Sequence, residues 1–130
     1  MRVHTSDSNN ESSLIEALIL KKLANRNGSV VRPEFYQPET TDNYCGTTAK
    51  FYLFYNVAGW TTLREAILRN RAERVAFKEE EILRGLENLV SGLMWLRYYN
   101  ETHGNISSMT VYYKDGNMLL SDPFIAPTTL

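Results

Sequence analysis

The feature that most constrains this chain is its longest helix signal, which runs from Lys78 to about Tyr99. Three consecutive glutamates occupy the first turn, where the positive end of the helix dipole favours acidic side chains. The apolar residues cover more than one stripe, so the helix needs neighbours on two sides: Ile82, Leu83, Leu86, Leu89, Val90, Leu93, Met94, Trp95 and Leu96. Gly85 and Gly92 each lower intrinsic helicity by about 1 kcal/mol relative to alanine, but they permit close packing against another element.

Composition narrows the class of protein without identifying it. The 130 residues are 43% hydrophobic, which is enough for one core of ordinary size. The formal net charge of -1 gives no electrostatic footprint for nucleic acid or for an acidic membrane surface. Cys45 is the single cysteine, so an internal disulfide is excluded, and the two histidines are too far apart to suggest a metal site.

Targeting and membrane signals are also missing from the sequence. The polar start lacks the apolar core of a signal peptide. No run approaches the roughly 18 apolar residues of a membrane span. We therefore expect a cytoplasmic protein whose partners include neither nucleic acid nor a membrane.

The first quarter of the chain predicts a flexible start and one helix. Residues 1–12 are polar and are expected to form a flexible N-terminus. Ser12 or Ser13 is expected to cap a helix that carries apolar residues at helical spacing. Asn27-Gly28 is expected to end it, because glycine accepts the left-handed conformation that ends helices.

The next segments predict strands and a loop. Val30 and Val31, together with Phe35 and Tyr36, suggest a short strand that Pro33 interrupts. Residues 37–48 are rich in Pro, Thr, Asp and Asn and are expected to form a loop. The β-prone run over residues 51–55 predicts a strand buried on both faces.

Two more elements flank the long helix. Gly59 is expected to end the preceding strand, and Thr61 or Thr62 to cap a short helix. After the long helix, residues 109–113 and 117–120 flank an Asp-Gly pair, which predicts a β-hairpin.

The region from His103 to the hairpin and beyond carries the most specific motif. It resembles the catalytic loop, hairpin and metal-binding turn of eukaryotic protein kinases, which read H-R-D-x-K-x-x-N and then D-F-G. His103 stands at the first position of that pattern. Asn105 replaces its Asp, Ser107 its Lys and Thr110 its Asn.

The metal-binding turn is altered as well. Asp122 keeps the metal-binding side chain that the resemblance implies, but Pro123 and Phe124 replace the Phe and Gly of that turn. Pro123 fixes φ and removes a backbone donor, which restricts the usual movement of the turn.

The resemblance extends towards the N-terminus. Residues 16–23 resemble the regulatory helix of the kinase small lobe, and Glu16 falls where the family keeps the Glu that pairs with the phosphate-holding Lys. Leu20 falls on a hydrophobic spine position. No glycine-rich loop and no A-I-K strand are visible.

The segment between the two lobes is similar to the kinase hinge. Tyr55 falls at the gatekeeper position, and the resemblance implies that the backbone of Asn56, Val57 and Ala58 faces an adenine. Residues 63–77 then resemble the helix after the hinge, and residues 79–99 the central helix of the large lobe.

The resemblance implies a partial protein-kinase-like fold of the α+β class. Residues 13–130 form the truncated domain, with 13–55 as the small-lobe part, 56–62 as the hinge and 63–130 as the large-lobe part. Residues 71–80 and Ile125-Ala126 are most similar to the NIMA-related kinases. An activation segment is not visible, so we expect either a fragment of a longer chain or a degenerate gene product.

The substitutions remove most of the chemistry of phosphoryl transfer. Asn105 is neutral and cannot act as the base that takes the substrate proton. Ser107 lacks the charge that supports the transferring phosphate. The Thr110 hydroxyl is a weaker magnesium ligand than an amide carbonyl, which leaves Asp122 to hold one ion weakly. ATP and magnesium are therefore expected to bind weakly or not at all.

Two function classes follow, and a third is kept open. The favoured hypothesis is a catalytically inactive pseudokinase module that acts in protein binding or scaffolding, with a protein partner or the remaining kinase-domain chain covering its apolar faces. The alternative is a fragment of a divergent serine/threonine kinase that binds ATP and transfers phosphate when complete. The third is an unrelated α+β adaptor.

Each kinase-type assignment also has an ordinary structural interpretation. The sequence alone also allows His103 to be a loop or core histidine and Glu16 to be a surface charge. It likewise allows Asp122 to cap a turn and Tyr55 to be a core aromatic residue.

Overall fold

The computed structural model describes residues 1–6, 9–44 and 46–123. They form three helices and two antiparallel sheets of three strands each, which confirms the predicted α+β class. The described chain separates into two compact units, residues 1–26 with 32–56 and residues 27–31 with 57–123. Cys45, Phe124 and Ile125-Ala126, on which the sequence analysis also drew, lie outside the described residues.

The first unit contains one helix and one sheet. Its elements are β1 (Arg2–Ser6), α1 (Asn9–Ala24), β2 (Phe35–Asn43) and β3 (Gly46–Phe54), and the strand order is β1-β3-β2. Ile15 and Ile19 of α1 pack with Ala49, Phe51 and Leu53 of β3 to form the core of this unit.

The prediction of a flexible start over residues 1–12 is wrong for the part that lies in β1 and α1. Arg2 pairs with Leu53 and Ser6 with Ala49, so backbone pairing with β3 orders a segment whose side chains are polar. The helix begins at Asn9 and not at Ser12 or Ser13. The Ser12 hydroxyl instead donates to the Ser6 hydroxyl at 3.0 Å.

The predicted loop over residues 37–48 is also wrong, because β2 and β3 form a long hairpin there. The pairing runs from Phe35 opposite Phe54 to Asn43 opposite Gly46. Pro38 was one reason for the incorrect loop prediction. It lies within β2, at the edge of the described sheet, where a residue without an N–H is tolerated.

The strand over residues 51–55 is not buried on both faces as predicted. Ala49, Phe51 and Leu53 are buried, whereas Tyr52 and Phe54, at the alternate positions, are half-buried. This alternation is what a strand shows when one face of its sheet carries the core.

The end of α1 differs from the prediction in position and in mechanism. The helix ends at Ala24, and Gly28 does not have a positive φ. The Asn27 side-chain oxygen accepts from the Ser29 N–H at 2.8 Å, so an asparagine turn redirects the chain. Val30 then bridges to Leu120 and does not continue into a strand with Phe35.

The second unit places two helices beside a small sheet. Its elements are β4 (Thr61–Thr62), α2 (Leu63–Glu73), α3 (Glu79–Tyr98), β5 (Val111–Lys114) and β6 (Asn117–Leu120), with strand order β4-β5-β6. The predicted long helix and hairpin are confirmed. Asp115 and Gly116 both have positive φ, at 49° and 85°, as a two-residue hairpin turn requires. Thr62 caps α2, since its hydroxyl accepts from the Glu65 N–H at 3.1 Å.

The two glycines of α3 allow the hairpin to pack against the helix. A Cβ at Gly85 would lie 2.6 Å from the end of the Met118 side chain, and one at Gly92 would lie 3.0 Å from Leu120 and 3.1 Å from the Ser29 carbonyl oxygen. The close packing predicted at these positions is confirmed. Met118 and Leu120 are both buried, and together with Val30, Leu96 and Val111 they form the core of the second unit.

A membrane-spanning helix is not found among the described residues, because none of α1, α2 and α3 combines sufficient length with sufficient apolar character.

Candidate functional site

His103 is buried in the second unit and connects two segments of the predicted catalytic region. Its Nε2 lies 2.9 Å from the Ser121 carbonyl oxygen, and its Nδ1 lies 3.3 Å from the Asn105 backbone nitrogen. The Asn105 N–H can only donate, so Nδ1 accepts and Nε2 carries the proton that is donated to Ser121. The imidazole therefore holds the start of the loop next to the residue before Asp122.

The loop between Asn105 and Thr110 is closed by its own side chains. The Thr110 hydroxyl donates to the Asn105 carbonyl oxygen at 2.6 Å and accepts from the Ser107 N–H at 2.8 Å. The Ser107 hydroxyl accepts from the Met109 N–H at 3.2 Å. Thr110, placed by the resemblance at a metal-ligand position, thus uses its hydroxyl proton to fix the loop.

Asp122, which follows Ser121, is buried and only 3% exposed. Asn105 and Ser107 are exposed on the surface of the loop. Across the ranges 1–6, 9–44 and 46–123, no group of three or more His, Cys, Asp or Glu residues could hold a metal ion. The contacts of His103, Ser107 and Thr110 thus fix the path of the loop.

Glu16, predicted to pair with a phosphate-holding Lys, accepts a hydrogen bond from a tyrosine. The Tyr36 hydroxyl donates to its Oε1 at 2.7 Å within the first unit. This hydrogen bond raises the pKa of the Tyr36 hydroxyl, and burial and the Glu16 charge act in the same direction. Leu20, assigned to a spine position, is 50% exposed. Sequence reasoning missed Tyr36 because twenty residues separate it from Glu16, and no local pattern connects them.

The predicted hinge residues lie at the point where the chain passes from the first unit to the second. Tyr55 packs against the core of the first unit, and the Arg2 guanidinium lies 5.6 Å from its ring centroid. Asn56 and Ala58 are exposed. The Val57 carbonyl oxygen accepts from the Trp60 N–H at 3.0 Å, so its backbone forms a turn in the second unit.

The second candidate site is an exposed apolar surface along α3. We call it the α3 face and define it by five residues: Leu83, Leu86, Val90, Leu93 and Met94. Their side chains are between 37% and 67% exposed. The opposite side of the helix, which carries Gly85, Gly92 and Leu96, is buried. Only one of the two apolar sides of α3 is therefore covered by the described residues of this chain.

An apolar cavity of about 320 Å³ lies beside the start of α3 within the second unit. Its lining comes from both helices and the hairpin: Leu63, Ile67, Phe77, Glu81, Ile82, Tyr113 and Met118. The Tyr113 hydroxyl lies 3.4 Å from Glu81 Oε2. Burial and the nearby Glu81 charge raise the pKa of Tyr113. Apart from this Tyr113–Glu81 pair, the residues that line the cavity are apolar.

No protein-family model matches the chain, and no curated protein matches it.

Proposed function

We propose that this chain is a catalytically inactive protein-kinase-like (pseudokinase) module that acts in protein binding or scaffolding in the cytoplasm. The order of its elements supports the proposal. A helix and two strands are followed by a connecting segment, a short helix, a long helix and a hairpin, in the order that the resemblance to kinases predicts. The subfamily resemblance to NIMA-related kinases is part of the same proposal.

The geometry of the loop supports the loss of catalysis. Asn105 falls at the position that the resemblance assigns to the base, and its side chain is neutral and exposed. Thr110 and Ser107 close the loop through internal hydrogen bonds. What remains of the motif has a structural use, because His103 holds the loop to Ser121.

The observation that carries the binding role is the exposure of the α3 face. Leu83, Leu86 and Val90 are each more than half exposed, at 59%, 52% and 54%, on one side of a single helix. Contiguous exposed apolar surface marks sites of interaction with other proteins. We infer that a protein partner covers this face.

The first test addresses the nucleotide. We expect a thermal melt of the chain to be unchanged by ATP, with or without magnesium. A ligand present at 100 times its dissociation constant adds about 2.7 kcal/mol to the native state, so retained binding would be visible as a shift. A rise in the melting temperature with ATP would show a retained nucleotide site, and a further rise with magnesium would favour Asp122 as a ligand.

The second test addresses the α3 face through binding of an apolar fluorescent dye, measured at protein concentrations at which the chain is monomeric. Leu86→Glu is expected to reduce dye fluorescence strongly, because it places a charge in the centre of the face. Leu68→Glu is the matched control, since Leu68 is 49% exposed on α2 and lies outside the face. Equal fluorescence from both variants and the parent chain would remove the α3 face as the binding surface.

A second candidate function rests on Asp122. Its burial next to the His103–Ser121 contact keeps one carboxylate at the position that the resemblance assigns to magnesium. We propose as the alternative a divergent serine/threonine kinase whose longer chain binds ATP. Phosphate transfer by that longer chain, abolished by Asp122→Ala, would favour this alternative over the inactive module.

A further inference from the structure

The α3 face has the spacing of a helix-pairing seam. Leu83, Leu86, Val90 and Leu93 follow one another at intervals of three, four and three residues. This alternation is the a/d pattern by which two helices pack knobs into holes. Met94, next to Leu93, widens this apolar strip on one side.

The two ends of the seam carry opposite charges. Glu79 begins α3 and Arg97 lies in its last turn, and both side chains are exposed. They are eighteen residues apart, which is about five full turns, so they lie on the same side of the helix. Val90 is two turns before Arg97 and shares that side, which places the charges at the two ends of the apolar seam.

We propose that the α3 face binds the α3 face of a second copy of this chain, with the two helices antiparallel. In this arrangement Glu79 of each copy meets Arg97 of the other, and the two-fold axis repeats the ion pair. A parallel arrangement would instead place Glu79 beside Glu79 and Arg97 beside Arg97. The Glu79 and Arg97 charges are therefore self-complementary in the antiparallel direction of pairing.

The apolar residues agree with the same register. When Glu79 lies opposite Arg97, Leu83 lies opposite Leu93 and Leu86 lies opposite Val90. Each contact then joins two residues that are at least one-third exposed in the single chain. The inference rests on the proposed function, because it names the partner that the binding face takes.

The test is sedimentation equilibrium of charge-reversal variants, alone and mixed. We expect the parent chain to dimerise, and Glu79→Arg and Arg97→Glu each to weaken the dimer about tenfold by converting both ion pairs into repulsions. An equimolar mixture of the two variants is expected to associate as the parent does. In the mixed dimer the arginine introduced at position 79 of one copy faces the glutamate introduced at position 97 of the other. The second contact joins the native Arg97 of the first copy to the native Glu79 of the second, so both pairs are again attractive.

A matched control separates pairing from helix stability. Glu80→Arg makes the same charge change in the same turn and weakens the helix dipole in the same way. Its side chain points about 100° away from that of Glu79, outside the seam. We expect Glu80→Arg to leave the dimer unchanged. Equal loss with Glu80→Arg, or a mixture that fails to associate, would overturn the proposed pairing.

The outcome for the parent chain distinguishes the two proposals. A chain that stays monomeric but binds apolar dye through Leu86 would overturn the second copy as partner and leave the protein-binding role standing. A monomer that binds no dye would overturn both proposals.

Discussion

At the scale of single residues, His103 uses both ring nitrogens to hold backbone groups. Nε2 donates to the Ser121 carbonyl oxygen at 2.9 Å, and Nδ1 accepts from the Asn105 N–H at 3.3 Å. The sequence left His103 open between a core histidine and a kinase-type loop residue, and its burial together with these contacts is compatible with both. What the sequence could not provide was the identity of its partners, because Ser121 is eighteen residues away.

His103→Ala is expected to destabilise the fold by about 1–3 kcal/mol, because it removes a buried side chain that bonds to the Ser121 carbonyl oxygen and to the Asn105 N–H. Urea unfolding would measure the change. Asn105→Ala is the control, since the Asn105 contact to His103 comes from its backbone and its side chain is exposed. A loss for His103→Ala no larger than for Asn105→Ala would contradict the assigned role.

Tyr36 gives the stability a dependence on pH in the alkaline range. Its pKa is raised above the ordinary tyrosine value of 10.0 by the hydrogen bond to Glu16. A folded-state pKa above the unfolded value contributes stability that is full below about pH 10 and is lost as pH rises through the folded-state pKa. Tyr36→Phe is therefore expected to reduce the loss of stability above about pH 10.

Urea unfolding at a series of alkaline pH values would measure this difference between the parent chain and Tyr36→Phe. Tyr98→Phe is the control, because Tyr98 is 81% exposed. Identical pH profiles for the parent chain and Tyr36→Phe would contradict the expectation.

At the scale of elements, periodicity and turn chemistry predicted the second unit better than the first. The apolar pattern of α3 and the Asp-Gly turn are local signals, and both elements were found where they were expected. The β2–β3 hairpin was missed because the turn-forming composition of residues 37–48 hides two strands whose pairing with each other outweighs that composition. The start of α1 was missed for a related reason, since contacts to β1 help to fix it.

Gly85→Ala tests the packing of α3 on the hairpin. Alanine favours the helix by about 1 kcal/mol, but its Cβ would lie within 2.6–2.9 Å of three Met118 side-chain atoms. We expect net destabilisation by about 1–3 kcal/mol from overpacking. In a Met118→Ala background the same substitution should become neutral or stabilising. Thermal or urea unfolding of the four-member cycle would measure the coupling, and additive effects would contradict it.

At the scale of the whole molecule, some features of the candidate site could be predicted from the sequence motif, and others required the structure. The positions of Asn105, Ser107 and Thr110 relative to His103 follow from the motif alone. The internal bonding of the Thr110 hydroxyl does not, because it depends on the path of the loop. The second apolar side of α3 was predicted from sequence, whereas its exposure required the structure.

If the chain is the proposed pseudokinase module, a carboxylate introduced at position 105 alone is expected to leave it inactive. Asn105→Asp returns a base to the loop, but Ser107 still lacks the positive charge and Thr110 remains bonded to the loop backbone. We expect no transfer of labelled phosphate from ATP to a general protein substrate. Transfer by Asn105→Asp that Asp122→Ala abolishes would show that the scaffold retains catalytic geometry.

The position of β2 at the edge of the described sheet has a consequence for aggregation. A nine-residue strand at the edge of a sheet offers a row of backbone donors and acceptors to any other chain. Pro38 interrupts that row, because it has no N–H and a bulky ring, and Glu39 beside it adds a negative charge. Pro38, which made this strand resemble a loop in the sequence, is thus the residue that we expect to protect the edge. Replacing Pro38 with valine should shorten the lag before fibrils form.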